Sequence, residues 1–350
     1  MSKRRKKSNN FIITIIVFIF LCVSGYFGTD YFLDTSNNIA KEASANEVQI
    51  TTSASIENVD EVDLNNNKLN IIFFYVGQAD CTLIKLNDEV MLIDAGNNSD
   101  GKNIVSFLQE KGITQIDYLV GTHADEDHIG GIDDVIKSMK IGTFLIPTVG
   151  KNGTDYKNAV EAAEEKNIPI EHPTMGEVFI FEDANSIDTS LQNSIISNTE
   201  SQSANNVDLH FEIMSAMEEE GTSDNNSSLV IELTYNNTKY LFMGDAETEV
   251  ENSRSWNKVN VLKVGHHGSN SSSSTKFLEQ VKPQYSIIEV GKKNSYNLPS
   301  DKAIKRLEES GTQILRTDKV NGDEVGSFWL TSDGNTIDIR EVNINLDGNS

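Results

Sequence analysis

Four side chains able to hold a metal ion fall within six consecutive residues. They are His123, Asp125, Asp127 and His128, in the run Thr122-His123-Ala124-Asp125-Glu126-Asp127-His128-Ile129-Gly130-Gly131. Imidazole offers a neutral nitrogen and aspartate a hard anionic oxygen, so the run suits a divalent cation with a mixed shell. The chain has six histidines, and four of them lie here or in a second run, Gly265-His266-His267-Gly268-Ser269. Packing does not ordinarily concentrate histidine in this way. The other two, His172 beside Pro173 and His210 on a strand-like segment, read as packing or surface residues. Such a cluster suits hydrolysis, because a bound cation lowers the pKa of water from about 15.7 to about 7.

The surrounding pattern supplies rigid mounts for these side chains. Tyr118-Leu119-Val120 precedes the first run, and a strand from Val259 to Val264 leads into the second. Asp94 follows the apolar Met91-Leu92-Ile93, and Asp245 follows Phe242-Met243-Gly244. Loops at strand ends carry chemistry on a fixed base. Asp94, before Ala95-Gly96, reads as a residue that orients a ligand, and Asp80 reads as structural. Leu69 to Val76 reads as a strand, and Cys81 to Leu86 with Val90 to Ile93 as a hairpin around Asn87-Asp88. Lys102 to Lys111 is amphipathic and stops at Gly112; a helix near 131–139 and a strand near 143–146 follow. The second half repeats the scheme, with a hairpin of Leu229 to Thr234 and Lys239 to Met243 around Asn236-Asn237. A helix, the strand into the second histidine run, a helix near Thr275 to Val281, strand Tyr285 to Val290 and a helix at Asp301 to Ser310 come next. Strands near residues 313–315, 326–330 and 336–339 close the pattern. Two similar α/β halves predict two sheets packed face to face with helices outside.

From about residue 69 to 300 the chain resembles metallo-β-lactamase-fold hydrolases, and within them the hydrolase domain of ComEC-type DNA-uptake proteins. The superfamily motif is H-x-H-x-D-H, and the ComEC-like branch replaces its second histidine by aspartate, as His123-x-Asp125-x-Asp127-His128 does. Val76-Gly77-Gln78-Ala79-Asp80, Asn225-Asn226-Ser227-Ser228-Leu229-Val230 and Leu262-Lys263-Val264-Gly265-His266-His267-Gly268-Ser269 are similar to further segments of that branch. The resemblance implies an αββα four-layer sandwich holding one or two Zn²⁺ or Mn²⁺ ions. It places His123 and Asp125 on one metal, Asp127, His128 and His266 on the other, and Asp245 on both; Asp127 and Asp245 are the candidate catalytic carboxylates. Around them it implies Asp94, His267, Asn225, Ser228, Lys292, Asn294 and Tyr296 as supporting or substrate-contacting residues. Tyr75 and Ala79 depart from the branch's first segment, and two further departures touch the site. No third histidine serves the first metal, which predicts a weaker first site, and Leu298 stands where the branch has a histidine in Asn294-Ser295-Tyr296-Asn297-Leu298-Pro299.

Charge narrows the substrate. The 350-residue chain carries a net −24, and −29 once the five cations of its first seven residues are set aside. An acidic surface repels polyanions at long range, which disfavours broad nucleic-acid binding and favours short or small substrates. Lys292 and Lys293 form a local basic spot that could hold a phosphate. The expected activity is a phosphodiesterase or nuclease; the alternatives are hydrolysis of an ester, thioester or amide bond, or a degenerate metal-binding surface protein. Residues 1–10 read as a basic cytoplasmic tail and residues 11–27 as a transmembrane signal anchor, which puts the rest outside the cell membrane. Secretion after signal cleavage is the alternative. Residues 28–68 read as a disordered tether, 69–342 as the hydrolase domain, and about 183–206 as a polar surface insertion. Cys22 and Cys81 predict no internal disulfide.

Overall fold

The computed structural model describes residues 48–349 apart from 59–60, 182–207, 218–220, 321 and 323. The expected membrane segment at 11–27 and the polar insertion near 183–206 lie outside the described residues. No helix among the described residues is long and apolar enough to cross a membrane.

In chain order the first strands are β1 (Gln49–Asn58), β2 (Leu69–Phe73), β3 (Thr82–Leu86), β4 (Glu89–Ile93), β5 (Gln115–Val120), β6 (Lys140–Leu145), β7 (Ile170–Glu171) and β8 (Val178–Ile180). Then come β9 (Leu209–Ser215), β10 (Val230–Tyr235), β11 (Thr238–Phe242), β12 (Val261–Lys263), β13 (Tyr285–Ile288), β14 (Gln313–Arg316), β15 (Ser327–Ser332) and β16 (Thr336–Asn343). The helices are α1 (Gly101–Glu110), α2 (Glu126–Ile129), α3 (Ile132–Ser138), α4 (Thr154–Glu165), α5 (Thr248–Ser253), α6 (Thr275–Val281) and α7 (Asp301–Ser310). One sheet runs β1-β16-β15-β2-β3-β4-β5-β6-β7 and the other β14-β13-β12-β11-β10-β9-β8.

Strand alternation builds the layers. In and just after β2, Leu69, Ile71 and Phe73 turn toward Phe211, Ile231 and Tyr240 of the other sheet, while Ile72 and Phe74 turn outward. The outward face packs on Ile104, Phe107 and Leu108 of α1, Ile132 and Val135 of α3, and Ala159 and Ala163 of α4. On the far side Leu241, Leu262 and Ile288 bury against Val250 of α5, Phe277 of α6 and Leu307 of α7. Helix, sheet, sheet, helix is the expected four-layer order. Each large apolar side chain so buried contributes roughly 1.5–3 kcal/mol.

Two boundaries differ from expectation. The tether assigned to 28–68 ends early, because β1 pairs in parallel with β16, from Gln49 opposite Thr336 to Ser53 opposite Arg340, and Val48, Val62 and Leu64 are buried. An edge strand is held mainly through its backbone, so a polar, β-branched stretch can fill the place without an apolar repeat. Folded structure also continues past 342: Leu346 is buried and its N–H donates to the Tyr75 carbonyl at 2.9 Å. Helix α4 was not anticipated, since its buried face is mostly alanine and carries little apolar signal.

The site sits where parallel strands end together. β4 runs parallel to β5, and β11, β12 and β13 run parallel to one another. Their carboxyl ends deliver Asp94, His123, Asp245, the histidine pair and Glu289 to one edge of the sandwich. A Cβ on Gly131 would lie 2.2 Å from the Ala95 carbonyl oxygen, so glycine there lets α3 start against the Asp94 loop.

Candidate metal centre

Three imidazoles and one carboxylate converge. His123 Nε2, His128 Nε2, His267 Nε2 and Asp245 Oδ1 are all buried and have no hydrogen-bond partner among the described residues. Ligand atoms of His123, His128 and Asp245 lie within 4.8 Å of one another, and so do those of Asp127, His128 and His267. His128 Nε2 is 3.2 Å from Asp245 Oδ1, and His267 Nε2 is 3.3 Å from Asp127 Oδ2 and 3.6 Å from Asp245 Oδ2. Burying four unpaired polar atoms is costly unless something satisfies them. A divalent cation fits the donor set, which is nitrogen and carboxylate oxygen at contact distance.

The far sides of the rings settle which nitrogen faces inward. His128 Nδ1 donates to Asp94 Oδ2 at 2.8 Å, and His267 Nδ1 donates to the Glu289 carbonyl at 2.9 Å. With Nδ1 carrying the proton, each Nε2 keeps its lone pair for an ion. Asp94 is itself fixed by the Thr122 N–H and hydroxyl, both at 2.8 Å, so it holds the His128 ring in one orientation. His123 has weaker support: its Nδ1 meets the hydroxyls of Thr122 at 3.1 Å and Ser228 at 3.4 Å. Ser228 also accepts the Asp245 N–H at 3.0 Å, so one hydroxyl ties a histidine of the first sheet to the carboxylate of the second.

Electrostatics agree. Burial alone would lower the pKa of His128 and of His267, but Asp245 and the neighbouring aspartates outweigh it and hold both well above the usual histidine value. Burial would likewise raise Asp245; His128 and then His267 reverse this and hold it well below the carboxylate range. Asp127 is lowered in the same way, with the His267 hydrogen bond overcoming burial. Without an ion the cluster holds protons instead, and a cation must displace them.

The two tandem histidines exchange their expected places. The resemblance assigned His266 to the metal and His267 to its surroundings, but His267 is the buried ring that joins the cluster. His266 is 25% exposed and lies on the rim, with Nδ1 3.3 Å from Glu247 Oε1 and 3.4 Å from Asn225 Nδ2, and Nε2 3.7 Å from Asp245 Oδ2. Both residues have φ of +49°. Two consecutive left-handed residues turn the second ring inward and the first outward, at about 1–2 kcal/mol each. Asp125 stays near His123, at 3.5 Å, but its side chain is 44% exposed.

The loop after β13 does other work than expected. The Asn294 amide donates to the carbonyls of Gly291 at 2.9 Å and Leu298 at 2.7 Å, and its oxygen accepts the Leu298 N–H at 2.9 Å, so Asn294 folds the loop. Tyr296 is 70% exposed, Lys292 is exposed, and Leu298 packs on the outer core of the second sheet. His172 and His210 bond to the Ile146 carbonyl and to Asp208, both at 2.7 Å, away from the cluster.

Three buried charges under the site went unread or undervalued. Lys263, at the end of β12, bonds Asp80 and is held well above the usual lysine range, since Asp80 overcomes burial. Asp80 Oδ1 lies 3.2 Å from His267 Nδ1. Glu289 accepts the Cys81 N–H and the Thr82 hydroxyl, both at 3.2 Å, and burial pushes its carboxyl well above the usual range. Lys263 and Glu289 sit inside apolar strand runs, where the only available signal was a charge in a buried context.

A fold of two facing mixed sheets with such a cluster at its edge defines a class. Residues 74–291 match the model of the metallo-beta-lactamase superfamily, and the chain belongs to it. Among characterised relatives it is similar to ComE operon protein 3 of Bacillus subtilis, 32% identical over 69% of this chain and 29% of that protein. Recombination protein 2 of Haemophilus influenzae is 28% identical over 69% of this chain and 27% of its own length. Competence protein ComA of Neisseria gonorrhoeae is 26% identical over 72% and 31%. The chain thus matches less than a third of the length of each.

Proposed function

We propose that this chain is a metal-dependent hydrolase that cleaves phosphodiester bonds in short or small substrates, held outside the membrane by residues 11–27. The observation that carries the hydrolase reading is the convergence of three buried Nε2 atoms and Asp245 Oδ1, all without partners among the described residues. Asp127, His128, His267 and Asp245 would hold one ion, with His123, Asp125 and shared Asp245 a weaker second. Zn²⁺ suits the nitrogens, and the added oxygens favour Mn²⁺. A cation there supplies acidified water and charge compensation for the attacked phosphorus. The protein's own part is placement. Asp94 and the Glu289 carbonyl hold His128 and His267 in the tautomer that leaves Nε2 free. Ser228 holds the Asp245 backbone in place. On the rim, His266, Asn225 and Ser271 offer polar groups to the substrate.

The phosphodiester preference rests on similarity to the competence proteins and on the exposed Lys292 and Lys293; the net charge disfavours long polyanions. Nucleic acid ends or short fragments fit both constraints. The test is release of 4-nitrophenol from bis(4-nitrophenyl) phosphate with Mn²⁺ or Zn²⁺. Turnover abolished by chelator and by His128→Ala supports the reading; no metal-dependent turnover counts against it.

One observation favours a second reading. Leu298, where the branch carries histidine, is partly buried and packs against the outer core of the second sheet, so this position offers no imidazole. A metal-binding surface protein without turnover would show stoichiometric metal and no hydrolysis of phosphodiester, ester, thioester, amide or lactam substrates.

A further inference from the structure

Beneath the converging imidazoles lies a second group of acids. Asp80 and Asp94 both reach His128, and ligand atoms of all three lie within 4.8 Å of one another. Asp80 also shares such a grouping with Asp245 and His267. By donor type and spacing, these inner residues are as able to take up a metal as the outer ones. Asp80 Oδ1 is buried and has no hydrogen-bond partner among the described residues, and it faces the cluster. Yet one cation is already there. Lys263 is 3% exposed, bonds Asp80 Oδ2, and lies 3.4 Å from the Gly244 carbonyl beside Asp245. Lys263 lines a small cavity together with Asp80, Thr82, Asp94, Thr122 and Gly244.

We propose that Lys263 is a tethered cation that fills the inner position of this carboxylate cluster and confines exchangeable metal to the positions beyond it, the firm one at Asp127, His128, Asp245 and His267 and the weaker one at His123 and Asp125. The inference rests on the metal-centre reading above and adds a cause for the ion's place and number. An ammonium and a divalent ion a few ångströms apart repel strongly in a buried setting, so the inner acids cannot take up metal while Lys263 is present. The lysine also leaves Asp80 Oδ1 free to support His267 rather than to ligate. Acting through Asp80, Lys263 is a positioning residue.

Metal content of the full chain tests this, after stripping with chelator and saturation with Mn²⁺ or Zn²⁺. Lys263→Ala opens space beside Asp80 and should bind one more equivalent than the unaltered chain. Lys263→Arg should keep the original number. In Asp80→Asn/Lys263→Ala the inner charge is gone with its partner, and the extra equivalent should vanish. If Lys263→Ala is unfolded when metal-free, added metal should restore its near-ultraviolet circular dichroism, because the ion replaces the ammonium. An unchanged metal number in folded Lys263→Ala overturns the proposal, as does failure of metal to rescue an unfolded one. So does an extra ion that persists without the Asp80 charge. An unaltered chain that binds no metal would instead sink the metal-centre reading itself.

Discussion

The two sides of the centre are built to different standards. On one side, His128 and His267 are backed by a carboxylate and a backbone carbonyl, and both rings are buried. On the other, His123 is backed only by hydroxyls, Asp125 is half-exposed, and His266 lies on the rim. An imidazole whose Nδ1–H is held by an anion or carbonyl is a stronger and better-aligned donor than one facing a hydroxyl that can rotate. The contrast teaches that the ligand types alone do not set the strength of a site. The groups behind them do, and they divide one constellation into a firm half and a loose half.

The largest expected effect comes from exchanging the tandem histidines. His267→Ala should abolish tight metal binding, while His266→Ala should keep the tight ion and alter only substrate handling. Isothermal titration with Zn²⁺ separates them, and equal losses in both variants would erase the distinction between buried and rim rings. Next, Asp94→Asn should weaken metal affinity about 10–100-fold, the usual cost of removing a carboxylate behind a ligating histidine. Ser228→Ala, on the loose side, should cost less than that in the same titration. A larger loss for the serine would reverse the ranking of the two halves.

A third contrast is in pH. His128 and His267 are raised when metal-free, so their contribution to stability is full below the unfolded histidine value of about 6.5 and is lost as pH rises through their folded values. Asp127 and Asp245 are lowered, so theirs is present above about 3.9 and is lost as pH falls through their folded values. The metal-free protein should therefore be most stable between these limits. Added metal should flatten the alkaline decline. Thermal melts across pH, with chelator and with metal, read both. The smallest effect concerns the loop after β13. Asn294→Ala removes four hydrogen bonds internal to the loop and should cost roughly 1–3 kcal/mol of stability while leaving metal binding unchanged.

Much of this was legible in the chain. The first ligand run is contiguous and Asp94 and Asp245 end apolar strands, while their convergence is what the family resemblance implied. The choice between His266 and His267 was not legible, because adjacent rings trade places with the sign of φ, and no residue type at that turn announces it. Asn294 reads as a substrate contact because the resemblance puts its loop beside the metals; only the folded loop shows that its bonds are internal. Lys263 and Glu289 read only as strand positions, since burial of these charges beside their partners needs three separate segments, at 80–82, 263 and 289, to meet. β1 was read as tether, because an edge strand needs a neighbour's backbone more than a pattern of its own. The two hairpins and the helices α1, α3, α6 and α7 were strongly periodic and came within a few residues of their expected bounds.

The cluster draws His123, Asp127 and His128 from the loop after one sheet, and Asp245 and His267 from loops after the other. An ion held among them acts as a clasp across the seam of the sandwich. Parting the two layers then means breaking coordinate bonds as well as exposing apolar surface, so loss of the ion should show first as faster unfolding. The same atoms that converge on the ion would thus also govern how long the folded protein persists.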